Sequence, residues 1–346
     1  MEQGGVESVV CDLVQAGRRT SVAGERWESV VISKGGRLVS RIEQFGGRHV
    51  ALDLKSKNPL TYFTRAWQLR RVLKAERPDL VCAHSRVPAW LFVWANRGLR
   101  LKWITYAHGA NSVSRYSAVM TMGDLVVTPS AFMSDFLRKS YGIDAARIRV
   151  IPNAVDTERF DPAKLDETFI AAKRCEWGIR EGDHVLMAIG RITPVKGLEG
   201  LIRDFAAQGG AHRKLVIVGG ADKHHLKYLK TLKELAARVQ QGAQGEEREA
   251  QVIFAGPQSR IPECLAIADE VVSANTTKPE SFGLSVIEAY AMNRPVRVAR
   301  RFGGAAEVMD AVERVGAPTF REAVLELYGM DRFAARTRAV YGEVVG

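Results

Sequence analysis

The sequence predicts an α/β protein built from two doubly wound domains, and three observations carry that prediction. Short apolar runs alternate with segments of helical spacing along the chain, the pattern of β-α-β units on a parallel sheet. The series gives way to a polar stretch after residue 155 and restarts at His184; 346 residues suit two domains, each burying its own core. The charge divides in the same region. Residues 1–150 hold 23 Lys and Arg against 12 Asp and Glu, whereas residues 151–346 hold 27 of each, so the whole net charge of +11 lies in the first half. Two domains with different partners are expected, the basic one facing something anionic: acidic lipid headgroups, a phosphorylated glycan or nucleic acid.

Composition narrows the class further. Hydrophobic and charged fractions of 46% and 26% are those of a globular protein. Cys11, Cys82, Cys175 and Cys264 are scattered without metal-ligand spacing, which reads as reduced thiols in a cytosolic protein. The N-terminus has no basic-then-apolar signal region, and the longest apolar run, Val87 to Ala95, falls far short of the roughly 18 to 20 residues that cross a bilayer. A cytoplasmic chain is the expectation.

In order, Gly4 and Gly5 lead into an apolar periodic segment, Val9 to Val14, read as a helix. Doubly wound folds place a glycine-rich loop after a first strand, and here that strand is missing. Trp27 to Ser33 and His49 to Leu54 read as strands, and Asn58 to Ala75 has helical spacing. That helix is basic and aromatic, with Tyr62, Phe63, Arg65, Trp67, Arg70, Arg71 and Lys74, preceded by Lys55 and Lys57. Such a helix either packs its aromatics inward and solvates its arginines, or lies on an anionic membrane surface. Asp79 to His84, Lys102 to Ala107, Asp124 to Thr128 and Arg149 to Ile151 complete the first series of strands, with Ser130 capping a helix through Lys139. The second series has strands at His184 to Ile189, Leu215 to Val218, Val252 to Ala255 and Asp269 to Ser273. His224 and His225 read as surface residues, Gln240 to Ala250 as an exposed loop, and Phe320 to Val345 as helical.

The chemistry concentrates in Lys278 to Met292, KPESFGLSVIEAYAM. A helix starting near Gly283 leaves its first N–H groups unpaired, and these with the helix dipole form an anion site. Glu280 precedes the turn Ser281-Phe282-Gly283, and Glu288 follows about a turn and a half into the helix. A diphosphate on the amides, a ribose diol on one acid and a sugar hydroxyl on the other would use every part. Ordinary helix capping gives the same residues a plainer use. The strand ending at Ile189 runs into Gly190-Arg191-Ile192-Thr193-Pro194-Val195-Lys196-Gly197, two cations at a strand end suited to a dianion. It is not a Walker A sequence, nor does Gly-x-Gly-x-x-Gly of a nicotinamide oxidoreductase occur.

The stretch resembles the E-x7-E signature of family 4 glycosyltransferases, retaining enzymes of the GT-B fold: two Rossmann-like domains facing across a cleft. The resemblance extends to Gly4, Gly5 and Glu7, to His108-Gly109, to Pro152-Asn153-Ala154-Val155-Asp156, to Gly190-Arg191 with Lys196-Gly197, and to Gly303-Gly304 with Glu307. Within the family the segment after Cys82 is similar to that of members building bacterial lipopolysaccharide core. Ala154 stands where the family has glycine and Asn293 where it has a helix-ending glycine, a place asparagine tolerates.

The resemblance implies an acceptor-side domain over residues 1–155, with a helix from about residue 328 to 346 packing back on it, and a nucleotide-sugar domain over 156–327. It implies that Glu280 and His108 contact the donor sugar, Glu288 the ribose, and Arg191 and Lys196 the diphosphate. Gly4, Gly5, Gly190, Gly219, Ser281, Phe282, Gly283 and Leu284 would line the nucleotide-sugar, with Gln258 near the base. A histidine at a strand end is expected to titrate near neutrality. No Asp-x-Asp occurs, so neither metal nor cofactor is expected, and cations and amides would hold the leaving group. The implied reaction moves a sugar to a glycan or glycolipid with retention, by a monomer with no nucleic-acid partner that touches the inner face of the plasma membrane peripherally. A catalytically silent scaffold of this fold, or a basic anion- or nucleic-acid-binding protein, are the competing readings.

Overall fold

The computed structural model describes residues 4–19, 26–56, 58–241, 251–275, 278–299 and 302–346. Lys57, and residues 242–250 of the stretch read as an exposed loop, lie outside them. The chain forms two compact units, one of residues 1–154 with 328–346 and one of 155–327.

The first unit opens with α1 (Gly5–Arg18) and continues through β1 (Val30–Ser33), α2 (Val39–Gln44), β2 (Arg48–Ala51), α3 (Tyr62–Glu76), β3 (Leu80–Ala83), α4 (Arg86–Ala95), β4 (Lys102–Tyr106), β5 (Leu125–Thr128), α5 (Ala131–Tyr141) and β6 (Ile148–Val150). Its strands lie in two parallel ladders, β1-β2 and β3-β4-β5-β6. No backbone bond joins the ladders among the described residues, and α1 covers both. Cys11 and Val14 pack with Val31 and Ile42, while Val9 and Leu13 pack with Ile104, Tyr106 and Val127. β1 and β3 are apolar sequences of the kind that central parallel strands carry. Nevertheless β1 is only half-buried throughout, and β3 over three of its four residues, because each has one unpaired edge.

Local chemistry sets several boundaries. Ser130 caps α5, its Oγ accepting from the Met133 N–H at 3.1 Å, and Gly142 ends that helix in the left-handed region. The strand read from Trp27 begins only at Val30, where pairing with Arg48 of β2 starts, and the Trp27 ring lies edge-on to Tyr341 at 5.4 Å. The 58–75 helix starts with a 3-10 turn over Pro59–Thr61, where the Asn58 side chain accepts from the Leu60 N–H. The inward-aromatic arrangement holds for Tyr62, which packs against the core and donates its OH to the Trp90 carbonyl, but not for the other two aromatics. Arg65 is buried with Ala66, Leu69 and Leu73, while Phe63 and Trp67 are exposed. The Arg65 guanidinium is bonded to the Asn58 and Thr61 carbonyls, which lets a charged residue occupy the inner face.

The second unit runs α6 (Glu167–Glu176), β7 (His184–Ile189), α7 (Leu198–Gln208), β8 (Arg213–Val218), α8 (Leu226–Gln241), β9 (Gln251–Gly256), α9 (Ile261–Ile267), β10 (Glu270–Ser273), α10 (Leu284–Ala291), β11 (Val296–Val298), α11 (Gly304–Val315) and α12 (Phe320–Tyr328). Its five strands form one parallel sheet in the order β11-β10-β7-β8-β9. Leu186, Ala188, Leu215 and Ile217 of its middle strands are buried beneath Leu201, Ile202, Phe205 and Leu232 of the crossover helices. Then α13 (Met330–Val345) returns to the first unit, packing Met330, Phe333, Val340 and Val344 with Ile104 and Tyr106.

Candidate functional site

In the second unit, chemistry gathers at the C-terminal ends of β7, β8 and β10, where open parallel sheets place ligands. β7 ends in Gly190 and β8 in Gly219, both with positive φ (+149° and +150°). A Cβ on Gly219 would lie 1.8 Å from the Gly190 carbonyl oxygen, so the two strand ends close together only without a side chain there. The chain then rises through Arg191, which is exposed, into a 3-10 turn over Pro194–Lys196, and Gly197 turns it into α7 with φ +65°.

Lys196 reaches back toward the strand ends, its Nζ pairing with the Glu280 carboxylate. Glu280 belongs to the turn before α10, which Gly283 begins at φ +99° with no side-chain cap on the N-terminus. That turn is braced from behind. The Gly304 N–H donates to the Glu280 carbonyl at 2.8 Å, and a Cβ on Gly304 would sit 2.2 Å from the Ser281 carbonyl oxygen. The pair Gly303-Gly304 therefore serves the site by letting α11 start directly against the 280–282 turn. Gly190, Arg191, Lys196, Asn275 and Ser285 line one small pocket floored by Ala188, Ile217 and Val272.

Glu288 sits half-buried on α10, where burial pushes its carboxyl up to about 7 against the opposing pull of the Arg159 guanidinium. It thus changes charge near neutrality. Phe282 corrects the sequence expectation: its ring is core, 4% exposed, so that residue offers a ligand its backbone alone. The Gln258 amide donates to the Ala255 carbonyl at 2.6 Å, which ties it to the end of β9. Leu284 and Ser281 are half-buried beside Gly283.

Asn275 was not singled out by the sequence. It follows β10, is 8% exposed, and its Oδ1 has no hydrogen-bond partner among the described residues. An unsatisfied buried amide at the edge of a pocket is costly unless a ligand completes it. A polar residue two places after a strand was the available signal, and it is a weak one.

His108 lies in the first unit, and there the expected near-neutral titration is overturned. Burial pushes its imidazole down to about 4, with the Glu7 carboxylate only partly opposing. Its Nε2 is 2.9 Å from Nδ1 of His84, a second residue the sequence did not assign, and the two rings lie 17° from parallel with Tyr106 stacked against both. His84 is also lowered, by burial first and by His108 second, so the two rings share one hydrogen bond as neutral imidazoles. Gly4 precedes α1 in extended backbone, Gly5 begins it, and Glu7 in its first turn pairs with Lys55 at 3.0 Å. The predicted residues thus fall into two groups: Gly190, Arg191, Lys196, Gly219, Gln258, Glu280 to Leu284 and Glu288 in the second unit; Gly4, Gly5 and His108 in the first. Among the described residues no group of three His, Cys, Asp or Glu side chains is gathered for a metal ion.

Two parallel-sheet units, one with glycine-tight strand ends, a paired cation and acid and a helix N-terminus without a side-chain cap, define an α/β protein of the Rossmann-like class. Comparison with known proteins carries this further. Residues 3–159 match the family model Glycosyltransferase Family 4, and residues 169–319 match Glycosyl transferases group 1. The D-inositol 3-phosphate glycosyltransferase of Nocardia farcinica is 31% identical over 196 residues, 56% of this chain and 41% of the relative. The chain thus spans about two-fifths of the length of the curated relatives it matches first. A glycosyltransferase structure from Rickettsia africae superposes with a TM-score of 0.79 at 22% identity, over 100% of this chain and 97% of that one. Anabaena HepE in complex with UDP-glucose gives 0.71 at 20% identity, over 99% and 92%. The chain belongs to the family 4 glycosyltransferases and has the GT-B fold.

Proposed function

We propose that the protein is a retaining glycosyltransferase that moves a hexosyl or related sugar from a nucleotide-sugar to a glycan or glycolipid of the bacterial surface, lipopolysaccharide among them, without a metal ion. One observation carries the reading: the Lys196–Glu280 pair, Arg191, Asn275 and the uncapped start of α10 lie about a single pocket at the sheet's C-terminal edge. The Anabaena neighbour contains UDP-glucose, which makes UDP-sugars the first donors to try.

In this mechanism Arg191, Lys196 and the first N–H groups of α10 hold the donor diphosphate and take up the charge that develops as it leaves. Glu280, held in place by Lys196, accepts sugar hydroxyls and fixes the anomeric carbon; it positions and does not attack. Glu288, ionised, accepts the ribose diol. The leaving phosphate receives the acceptor hydroxyl's proton on the face it departs from, so configuration is retained. His108 acts as a neutral imidazole, a hydrogen-bond donor or acceptor to the sugar and not a cation.

The acceptor is read as anionic because the first unit is basic, and a relative named for D-inositol 3-phosphate makes a phosphorylated acceptor a natural trial. The working state is a cytoplasmic monomer at the inner membrane face. Thermal-shift screening with UDP-, GDP- and ADP-sugars is expected to give one stabilising donor, and Glu288→Ala to abolish that shift. Equal shifts in both proteins would remove the ribose role. A bound donor that is neither transferred nor hydrolysed would favour the silent-scaffold reading, and stabilisation by oligonucleotides alone would favour nucleic acid.

A further inference from the structure

The outward face of α3 inverts the usual rule for a surface helix. Leu60, Phe63 and Trp67 are 88%, 60% and 54% exposed, and Arg71 and Lys74 continue the same stripe. At 100° per residue, positions 63, 67, 71 and 74 fall within about 80° of arc, and residue 60 of the preceding 3-10 turn extends the line. The buried face of Arg65, Ala66, Leu69 and Leu73 lies roughly opposite. Three large apolar side chains in water along one line mark a surface built to be covered.

The structure also shows what holds this stripe in place. Phe63 packs edge-on against Trp94 and Tyr62, each at 5.5 Å, and the Arg71 guanidinium lies 4.9 Å over the Trp67 ring. Arg70 is committed elsewhere, donating to the carbonyls of Ala95 and Arg97 at the end of α4. Arg71 and Lys74 stay exposed, and no acid interrupts the chain between Asp53 and Glu76 or between Asp79 and Asp124. Glu76, just past the stripe, is paired with Arg48.

We propose that the stripe from Leu60 to Lys74 docks the first unit on an anionic phospholipid surface, Leu60, Phe63 and Trp67 entering the interface while Arg71 and Lys74 hold headgroup phosphates. A protein partner would need acids matched to two cations and a groove for three apolar groups. A bilayer offers both over any area, with the apolar boundary beneath the phosphates, the order in which a tilted helix presents them. No helix among the described residues is long and apolar enough to cross a membrane, so contact through this surface would be peripheral. The proposal rests on the reading of a lipid-borne acceptor, and its test leaves the donor pocket untouched.

The test is co-sedimentation of the full chain with vesicles of phosphatidylcholine alone or with phosphatidylglycerol. Wild type is expected to bind the anionic vesicles and to be released progressively by salt. Phe63→Ser with Trp67→Ser should weaken binding at least tenfold, and Arg71→Gln with Lys74→Gln by about fivefold per cation removed. Both double variants should keep the wild-type melting temperature and the wild-type donor shift. Failure of wild type to bind anionic vesicles, or equal binding by Phe63→Ser with Trp67→Ser, overturns the proposal. So does a wild-type dimer that this variant dissolves, since the occupant would then be a second copy. A lost donor shift with vesicle binding intact would count against the donor reading and leave this one standing.

Discussion

The two units use the same β-α-β grammar to different ends. The second has one unbroken five-stranded sheet with buried middle strands, and its close backbone approaches require glycine at Gly219, Gly283 and Gly304. The first has its strands in two ladders, half-buried apolar edges at β1 and β3, a neutral histidine pair and exposed aromatics. A rigid sheet is what a phosphate site needs, because preorganised donors cost no reorganisation during the reaction. The difference teaches that one β-α-β grammar can bury its middle strands in one unit and leave apolar edge strands half-buried in another.

That contrast can be broken at its strongest point first. Lys196→Ala removes the cation proposed to hold the leaving group and strands the Glu280 carboxylate; turnover with the matched donor is expected to fall about 10²- to 10³-fold. A loss under tenfold would mean that the pocket is not where the phosphates sit. Next, Gly219→Ala forces a methyl into the Gly190 carbonyl and is expected to cost about 3 kcal/mol, or the fold of the second unit. Urea unfolding followed by hydrogen exchange would show whether the loss stays within that unit. If Gly219→Ala is neutral, the closeness of the two strand ends carries no weight.

A smaller effect sharpens the first unit. Folded His108 titrates at about 4 and an unfolded histidine near 6.5, so between those values the unfolded chain binds more protons. Stability is therefore present above about 6.5 and is lost as pH falls toward about 4. Amides of β1 and β3 should exchange faster than those of β7 and β8 at neutral pH, and the gap should widen at pH 5. His108→Asn should flatten that acid limb; an unchanged limb would move the effect to other groups. Glu288 in the second unit gives a pH dependence of binding rather than of folding, in the same direction. Its carboxyl is raised to about 7, so donor affinity should rise through neutrality as it ionises, and Glu288→Gln should remove that slope. The smallest expected effect is on folding by Phe63→Ser with Trp67→Ser, within about 0.5 kcal/mol, because exposed side chains leave little packing behind.

Much of the architecture was legible in order. His184 to Ile189 is a strand over the same residues that the alternation marked, and the helix after Gly283 starts where its glycine and small neighbours placed it. Ser130 caps as read, and Asn293 takes up the left-handed backbone, φ +54°, that an asparagine tolerates. These features depend on side-chain period, capping and backbone freedom, all of which are local.

What the residues alone determined, then, was the pair of α/β units, their unequal charge and the family to which the Glu280-to-Glu288 stretch belongs. Tertiary structure decided which polar groups meet and how much water remains around them. It joined Lys196 to Glu280 across 84 positions, left the Asn275 Oδ1 without a partner among the described residues, took Phe282 into the core and pressed His108 against His84. It also turned Phe63 and Trp67 outward while burying Arg65. Burial and desolvation depend on neighbours distant in sequence, and no local pattern records them.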